Sequence, residues 1–397
     1  MSNPDVVIVG AGITGVCAAL ALAESGARVE VVERYRPGAM ASGWTLAGVR
    51  QSGRHSAELP LIRRAIELWK ILDSKLEANT GYTQSGNLRL ARNAQEAEVI
   101  RALVKKQKQE DINIELLDRK GISEIAPRIS REIQAASYCS TDGHADPYAT
   151  VRAYRETAER LGVVFRIGVS VEKIITDAQS GDANNLKYFR SLKTSEGEIH
   201  AGSCILATGV QTNDLLKGLD VIIPFTTPVV VVVQTTVLPE IVKPVIGVAN
   251  ADLALRQKLD GKIIFTSGGA EISAEISERD GSPVVSPPTN QVTEVFERVN
   301  TVIPDMSNAS IQRIWGGLLD MTPDTLPVID SIPNYRGLIV ASGFSGHGFG
   351  IGPAVGEILR DLVLNKTSQL PIDAFRFDRF GTKTDTEESF AQPLIHG

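Results

Sequence analysis

The first 33 residues contain two short apolar runs separated by an alanine-rich stretch. Residues 6–9 read VVIV, a run without a polar face, which is typical of a strand buried on both faces of a parallel sheet. Residues 16–25 predict a helix that ends at Gly26, and residues 29–32 predict a second strand. The order of strand, helix and strand predicts a βαβ unit at the start of the chain.

Hydrophobic patterns along the rest of the chain predict further helices and strands. Helices are predicted at 58–76, 94–110, 147–162, 291–302 and 353–364. Apolar, often β-branched runs predict strands at 163–165, 169–175, 203–207, 228–237, 245–248, 263–266 and 337–343, and a hairpin strand at 188–200. Residues 38–54 are small and glycine-rich, and they predict an extended loop with little to bury.

Composition and charge restrict the class of protein. The chain has 397 residues, of which 43% are hydrophobic and 22% charged, as in a globular protein large enough for two domains. The net charge of −6 argues against a nucleic-acid or anionic-membrane partner, and acidic residues interleave with the lysine-rich run at 105–108. Three widely spaced cysteines form no disulfide framework, which favours a reducing compartment. Without a transmembrane or secretory pattern, we expect a cytoplasmic protein.

A glycine motif follows the first predicted strand. Gly10, Gly12 and Gly15 form G-x-G-x-x-G, which places a helix N-terminus beside a bound phosphate. Gly10 allows the tight turn, Gly12 lets the backbone approach a pyrophosphate, and Gly15 lets helix and strand pack closely. Glu33 ends the second strand, where a carboxylate accepts hydrogen bonds from a ribose and repels a 2′-phosphate. These residues predict a dinucleotide site for FAD or NAD and disfavour NADP.

A second glycine-dense segment lies towards the C-terminus. A predicted strand ending at Gly343 is followed by FSGHGFGIG at 344–352, and Pro353 then opens a predicted helix. Because glycine costs backbone entropy on folding, such density favours a backbone that approaches a ligand closely. We therefore expect a second helix N-terminus that faces a ligand.

Four motifs occur together and in a fixed order. They are the G-x-G-x-x-G with Glu33, ATG at 207–209, TPDTLP at 322–327 and GHGFGIGPA at 346–354. In this combination the chain resembles the D-amino acid oxidase-like family of FAD-dependent oxidoreductases. It is most similar to glycine/sarcosine-oxidase-like proteins and to D-hydroxyproline-dehydrogenase-like β subunits. The resemblance runs through almost the whole chain and is weakest across about 86–135 and 216–310.

The resemblance implies an α/β fold with two discontinuous domains. A Rossmann-type, glutathione-reductase-like FAD-binding domain would comprise 1–85, 136–215 and 320–397. A substrate-binding domain on a mixed β-sheet would comprise 86–135 and 216–319. The implied cofactor is FAD, and we expect it to be held non-covalently. Relatives that attach FAD covalently use a cysteine in the C-terminal half or a histidine near the N-terminal loop, whereas no cysteine follows Cys204 and residues 38–54 contain no histidine.

The resemblance also implies which residues contact FAD. Ser42 and the loop around it would run beside the pyrophosphate and flavin, Val171 would meet the adenine through its backbone, and residues 346–351 would approach the flavin ring with N–H groups. The full set of expected contacts is Gly10, Ala11, Gly12, Ile13, Thr14, Gly15, Glu33, Arg34, Ala41, Ser42, Thr45, Ala47, Gly48, Val49, Val171, Ala207, Thr208, Gly209, Gly316, Gly343, Gly346, His347, Gly348, Phe349, Gly350 and Ile351.

Arginine is the natural partner of a substrate carboxylate, because its guanidinium group is permanently charged and bidentate. Arg50 directly follows the flavin-side loop and is the first candidate, both for binding the substrate and for catalysis. Arg313, which precedes a tryptophan, is the second, and Arg54 and Arg256 are further candidates. His55 lies next to Arg54 in sequence and is an additional candidate for contacting the substrate.

His347 lies inside the glycine-dense segment and is the other catalytic candidate. A histidine titrates near neutral pH, so it can donate to the flavin or tune the protonation of an amine. Packing of the loop is the alternative role. The five histidines show no HxxH or HxH spacing, so no metal site is expected.

The function implied is oxidation of the C–N bond of a small amino acid to an imine, by hydride transfer to flavin. The substrate would be a D-amino acid or a secondary amine such as sarcosine or a D-proline derivative. Electrons would pass to oxygen or to a redox partner. Two alternatives stay open at this point: a dehydrogenase of a hydroxy acid or polyol phosphate, and an electron-transferring flavoprotein subunit of a larger complex. The chain would act as a homo-oligomer or as a subunit of a hetero-oligomer.

Overall fold

A computed structural model describes residues 3–178, 186–269 and 274–381 of the chain. These residues form nine α-helices: α1 Ile13–Glu24, α2 Ala41–Trp44, α3 Leu59–Leu76, α4 Ala94–Gln109, α5 Arg119–Ile125, α6 Pro147–Arg160, α7 Thr212–Leu216, α8 Thr289–Val302 and α9 Gly348–Val363. Within these ranges no helix combines the length and the hydrophobicity needed to cross a bilayer. The parts of the predicted domains at 1–2, 179–185, 270–273 and 382–397 lie outside the described residues.

The described residues also form 22 strands. They are β1 Val6–Val9, β2 Val29–Glu33, β3 Gly48–Val49, β4 Asn87–Ala91, β5 Glu115–Leu117, β6 Ala135–Cys139, β7 Gly143–His144, β8 Val164–Ile167, β9 Val171–Ala178, β10 Lys187–Thr194, β11 Gly197–His200, β12 Ser203–Leu206, β13 Val229–Val237, β14 Val245–Val248, β15 Leu253–Gln257, β16 Lys262–Ser267, β17 Ser277–Arg279, β18 Ser282–Val284, β19 Ile311–Leu318, β20 Val328–Ser331, β21 Tyr335–Arg336 and β22 Leu338–Ser342. Apart from boundary shifts of a few residues, the predicted strands are present.

A six-stranded sheet contains the predicted βαβ unit, in the order β20-β22-β12-β1-β2-β8. Its strands are parallel, except that β20 runs antiparallel to β22. Ile8 of β1 belongs to a core shared with α1 and α9, whereas Val7 and Val9 belong to a second core on the opposite face. Burial on both faces explains why the sequence of β1 is apolar throughout.

The second large sheet is mixed and has eight strands, in the order β19-β13-β16-β15-β14-β4-β6-β5. Only β14 and β4 pair in parallel, and the other neighbours are antiparallel. Leu255 and Phe265 point from one face into a core with Val295 of α8. On the opposite face, Ala254 and Thr266 line an internal cavity. The predicted α/β architecture with a mixed sheet is therefore confirmed.

Two helices begin three or more residues earlier than predicted. Helix α1 begins at Ile13 rather than at residue 16, so Gly15 lies in its first turn. Helix α9 begins at Gly348 rather than at Pro353, which lies inside the helix. Proline lacks an N–H group, so the backbone hydrogen bond to the carbonyl oxygen of Phe349 is lost. The helix tolerates this loss because it affects a single hydrogen bond near the start of the helix.

The glycine density of α9 serves close packing. A Cβ added at Gly350 would lie 2.6 Å from the carbonyl oxygen of Gly48, and one at Gly352 would lie 2.7 Å from a side-chain carbon of Ile13. A Cβ at Gly356 would lie 2.8 Å from the backbone of Cys17 in α1. The prediction that these glycines form a turn is therefore wrong for Gly350 and Gly352, which lie in α9 and let it approach β3 and α1.

The segment 38–54 is not a loop with little to bury. It contains the short helix α2 and strand β3, and Trp44 and Val49 are buried in hydrophobic cores. Arg50 and Arg54 at its end are also buried. The glycines between these residues interrupt any period of 2 or 3.6, so the sequence pattern did not reveal the burial.

We predict that Gly356→Ala lowers the free energy of unfolding by about 1–3 kcal/mol, because the added methyl overpacks the contact between α9 and α1. Gly218→Ala is the matched control, since a Cβ there meets no atom within 4 Å. Urea unfolding of the two variants measures the difference. Equal stability of the two variants would contradict the close approach of the helices.

Candidate active site

The glycines of the N-terminal motif fix the backbone around the start of α1. Gly10 has φ +102°, and a Cβ there would lie 2.4 Å from the carbonyl oxygen of Ala207. A Cβ at Gly15 would lie 1.9 Å from the carbonyl oxygen of Gly10. Gly12 is the N-cap of α1, and the next N–H, of Ile13, donates to Ser42 Oγ at 2.9 Å. The motif therefore presents a helix N-terminus with Ser42 beside it.

Glu33 lies at the bottom of an outer groove lined by Gly10, Gly12, Val171 and Thr208. Its carboxylate accepts hydrogen bonds from the N–H groups of Ala11 and Tyr35, each at 2.7 Å. Burial raises the pKa of Glu33, and the two N–H donors oppose that rise. A partly buried carboxylate at the end of β2 is placed to accept hydrogen bonds from a ribose.

The outer groove continues into an inner cavity. The residues that line both are Gly12, Ala41, Ser42, Ala207, Gly209, Leu318 and Asp320. The inner cavity reaches from Thr14 and Thr45 to Phe344 and His347, and one of its walls is the eight-stranded sheet. A continuous space of this form fits an extended dinucleotide, with one end at Glu33 and the other in the inner cavity.

The structure brings most of the expected cofactor contacts to this space. The residues that line the groove or the cavity are Gly10, Gly12, Ile13, Thr14, Glu33, Arg34, Ala41, Ser42, Thr45, Gly48, Val171, Ala207, Thr208, Gly209, Gly346, His347, Gly348 and Phe349. The others lie outside the lining: Ala11, Gly15, Ala47, Val49, Gly316, Gly343, Gly350 and Ile351. Contact of these eight residues with FAD stays a prediction; two of them lie behind the lining, where Gly15 packs on Gly10 and Gly350 packs on Gly48.

A histidine and a glutamate form a buried pair at the inner cavity. Nδ1 of His347 lies 3.1 Å from a carboxylate oxygen of Glu58, and the side chains are 2% and 0% exposed. Burial disfavours ionisation of Glu58, but His347 and the guanidinium groups of Arg54 and Arg50 outweigh it and hold its pKa at about 2. Burial, together with the charge of Arg54, lowers the pKa of His347. At neutral pH we therefore assign a carboxylate and a neutral imidazole.

This protonation state fixes the tautomer of His347. A carboxylate only accepts hydrogen bonds, so Nδ1 carries the proton and donates it to Glu58. The lone pair of the imidazole then resides on Nε2. His347 lines the inner cavity, so its imidazole is the candidate base at this end of the site.

Two buried arginines complete this end of the cavity. Arg54 is 5% exposed, and its Nε–H donates to the carbonyl oxygen of Arg50 at 3.3 Å. Its Nη1 is buried without a hydrogen-bond partner among the described residues. Arg50 also lines the cavity and donates through Nη1 to the carbonyl oxygen of Ser52 at 2.6 Å. A buried donor without a partner is costly, and an anionic ligand would satisfy it.

A third arginine and a second carboxylate lie behind these residues. A Cβ at Gly53 would lie 2.9 Å from Arg89 Nη2 and 3.1 Å from Arg50 Nη1, so the two guanidinium groups are close. Asp142 is fully buried and accepts a hydrogen bond from the N–H of Gln51 at 2.8 Å. Three buried guanidinium groups thus face two buried carboxylates, which leaves this end of the cavity cationic.

Two predicted substrate contacts lie elsewhere. Arg313 is exposed near the start of the edge strand β19, where its guanidinium group lies over the ring of Trp315 at 4.6 Å. His55 is exposed, and its Nδ1 accepts a hydrogen bond from the N–H of Ala57. Neither lines the cavity. Arg256 is buried, but its Nε–H donates to the carbonyl oxygen of Leu46.

Sequence reasoning missed Glu58 and ranked Arg54 below Arg50. Glu58 stands at the predicted start of a helix, where an acidic residue is ordinary, and 289 residues separate it from His347. The proximity of the two residues is visible only in three dimensions. The position of Arg54 close to Arg50 in sequence made it a candidate for binding the substrate. Its burial at the cavity, which makes it the stronger candidate, is visible only in the structure.

The sequence profile of the family described as "FAD dependent oxidoreductase" (DAO) matches residues 5–362. The chain belongs to this family. Glycine oxidase of Bacillus subtilis is 24% identical over 389 residues, which cover 94% of this chain and 97% of that protein. The mitochondrial dimethylglycine dehydrogenase of Rattus norvegicus is 25% identical over 98% of this chain, but the chain spans only 46% of that protein.

Solved structures show the same fold. The L-proline dehydrogenase of P. horikoshii superimposes with a TM-score of 0.83 at 27% identity, covering 96% of this chain and 98% of that one. Glycine oxidase of Geobacillus kaustophilus has a TM-score of 0.83 at 21% identity, covering 96% and 99%. The predicted family, the oxidoreductase class and FAD as the cofactor of this DAO-family enzyme are confirmed.

We predict that Glu33→Gln raises the Kd for FAD about tenfold, because a neutral acceptor bonds the ribose more weakly than a carboxylate does. Glu30→Gln, on the same strand but outside the groove, is the matched control. Quenching of FAD fluorescence on addition to the apoprotein gives both constants. A Glu33→Gln constant no larger than the control's would refute the role of this carboxylate.

Proposed function

We propose that this enzyme oxidises the C–N bond of an amino acid whose carboxylate binds Arg54 and Arg50. The observation that carries the proposal is the buried Nη1 of Arg54, which has no partner among the described residues and belongs to a side chain lining the inner cavity with His347. When bound, FAD supplies the acceptor for two electrons and a hydrogen. The protein binds the substrate, orients it and manages its proton.

The carboxylate is the group best matched to the cationic end of the cavity. A guanidinium group binds a carboxylate with paired, charge-assisted hydrogen bonds. The Nη1 group of Arg54 is available as a hydrogen-bond donor, and Arg50 also lines the cavity. Glu58 partly balances the two positive charges and holds His347 in the same region. Substrate binding would thus satisfy a buried donor and fix one end of the substrate.

His347 is the proton acceptor in this proposal. An amino acid in water carries an ammonium group, whose nitrogen has no lone pair to assist removal of a hydride from the α-carbon. The neutral imidazole accepts one ammonium proton on Nε2, while Nδ1–H stays bonded to Glu58. A hydride then leaves the α-carbon with both electrons of the C–H bond, the nitrogen lone pair completes the C=N bond, and water hydrolyses the resulting protonated imine. The electrons pass on to oxygen or to a redox partner.

The names of relatives support an amino-acid substrate. Proteins named glycine oxidase and L-proline dehydrogenase are among those similar to this chain, at 24% and 27% identity. The protein named sarcosine oxidase subunit beta from Arthrobacter is 24% identical over 99% of this chain. Its name is compatible with a hetero-oligomeric arrangement, which we keep beside the stand-alone enzyme. A hydroxy acid would also fit the arginines and would give its hydroxyl proton to the same base, so the preference for an amino acid comes from the names of the relatives.

The proposed division into domains follows the predicted one. We assign residues 1–85, 136–215 and 320–397 to FAD binding and 86–135 and 216–319 to substrate binding, and parts of these ranges lie outside the described residues. Glu33 fits this division because it lies in the range 1–85 and lines the outer groove. The residues of β13 to β16 that line the inner cavity fit it too, since they lie in the range 216–319. We also propose that FAD is held non-covalently, so that acid precipitation of the protein releases it.

We predict that Arg54→Met raises the KM for an amino acid that reduces the flavin by about 10- to 100-fold, because a charge-assisted hydrogen bond is lost. Steady-state and anaerobic reduction kinetics measure it, and Arg54→Lys, which keeps the charge, is expected to recover part of the loss. Arg313→Met removes an exposed arginine and serves as the matched control. Loss of binding in Arg313→Met but not in Arg54→Met would contradict the proposal.

We predict that kcat/KM falls as the pH falls through the lowered pKa of His347, because only the neutral imidazole accepts the proton. In Glu58→Gln the carboxylate that raises this pKa is gone, so the acidic limb moves at least about one pH unit lower. His55→Gln, a change at an exposed histidine, is expected to leave the profile unchanged. A limb that stays in place in Glu58→Gln and in His347→Asn would show that another group titrates.

A further inference from the structure

We propose that the substrate side chain is uncharged and apolar, and that it lies against one face of the eight-stranded sheet. The proposal rests on the proposed function, because it takes the carboxylate of the substrate to lie at Arg54. It goes further by naming the class of amino acid that the cavity accepts.

A row of directly paired residues crosses five strands on the face that lines the cavity. Val232 pairs with Thr266, Thr266 with Ala254, Ala254 with Gly247, and Gly247 with Arg89. Directly paired residues project to the same face of a sheet. The first four line the inner cavity. The cavity wall along this row is therefore small and uncharged until it reaches the arginine.

The exposure of the row residues shows where the space lies. Ala254 and Thr266 are only partly buried, although their strands lie inside the sheet, because they face the cavity. On the other face of the same strands, Leu255 and Phe265 are 0% exposed in a closed core. Small residues on the cavity face leave room that larger side chains would fill.

The row is charged only at its Arg89 end, and Thr266 is its one other polar member. Arg89 is buried at that end and lies close to Arg50, as their common distance from Gly53 shows. At the other end, Val230 and Val232 of β13 line the cavity, and Phe344 lines it from the helix side. A ligand with its carboxylate at the arginines therefore projects the rest of its structure towards apolar atoms.

The two charged residues that flank Ala254 along the chain already have partners. Arg256, two residues after Ala254 on the same face, donates to the carbonyl oxygen of Leu46. Asp252, two residues before Ala254, forms ion pairs with Arg92 at 3.0 Å and Arg298 at 3.5 Å. Neither lines the cavity. A charged substrate side chain would thus enter this region without a counter-ion, which is strongly unfavourable.

One carboxylate does line the cavity and defines the alternative. Asp320 lies where the cavity joins the outer groove, and its Oδ2 accepts a hydrogen bond from the N–H of Gly343 at 2.7 Å. It belongs to the side shared with the cofactor groove rather than to the sheet face. A basic substrate side chain would need to reach this carboxylate, so the test includes one.

The test compares isosteric amino acids on the FAD-loaded enzyme. Each enantiomer of leucine is set against aspartate, and each enantiomer of norleucine against ornithine, in anaerobic stopped-flow measurements of flavin reduction. We expect the second-order rate constant to be at least about 100-fold larger for the uncharged member of each pair, because desolvation of an unpaired charge is costly. Binding of 4-methylpentanoate and of its isostere succinate, followed by calorimetry, gives a readout without turnover, and the former is expected to bind more tightly.

A variant tests the position of the side chain. Ala254→Leu fills the centre of the row, so the ratio of the rate constants for leucine and glycine is expected to fall at least about tenfold. Gln312→Leu adds the same side chain at an exposed position of edge strand β19 and is the matched control. A leucine-to-glycine ratio equal to that of the control would overturn the placement.

The outcomes separate the two proposals. Equal rate constants for aspartate and leucine, or for ornithine and norleucine, would overturn the apolar side-chain inference and leave amino-acid oxidation intact. Reduction of the flavin by glycine but by no amino acid with a larger side chain would also overturn the apolar side-chain inference and leave amino-acid oxidation intact. If no amino acid reduces the flavin, although dithionite does, the proposed function itself fails.

Discussion

The buried contact between Glu58 and His347 is the constraint on which the rest of the site depends. It joins two segments 289 residues apart, at the start of α3 and the start of α9, and neither side chain is more than 2% exposed. A carboxylate in that position needs positive charge nearby, which Arg54 and Arg50 provide. The same arginines lower the pKa of His347 and leave a cationic end in the cavity. One electrostatic requirement thus links the base, the anion site and the packing of two helices.

The two large sheets line different parts of the site. The six-stranded sheet and its glycine motif present the groove that ends at Glu33, as the N-terminal pattern predicted. The eight-stranded sheet closes the inner cavity with a face of small residues, and its other face holds a separate core with α8. In the proposed function, cofactor and substrate would meet between these two sheets, which would favour a precise arrangement of the reacting groups.

Sequence predicted the fold and the dinucleotide groove well because local patterns carry them. The all-apolar β1, the glycines at 10, 12 and 15 and the acidic end of β2 each have a local physical cause. The catalytic end was harder to predict, since it depends on burial and on long-range contacts. The sequence patterns placed Arg313 ahead of Arg54 as a substrate contact, yet only Arg54 is buried at the cavity. The glycines of α9 suggested a ligand-facing turn, but at 350 and 352 they pack against β3 and α1.

The most direct measurement of the central claim is the visible spectrum of the FAD-loaded enzyme under anaerobic conditions. The spectrum is recorded after addition of L-leucine, of D-leucine and, separately, of 3-methylbutan-1-amine. The amine is leucine without its carboxylate, so it tests whether the arginines at the cavity direct oxidation to amino acids. We predict that one enantiomer of leucine bleaches the flavin band and that the amine does so far more slowly. Bleaching by the amine at an equal rate, or a flavin band unchanged by both, would contradict the account.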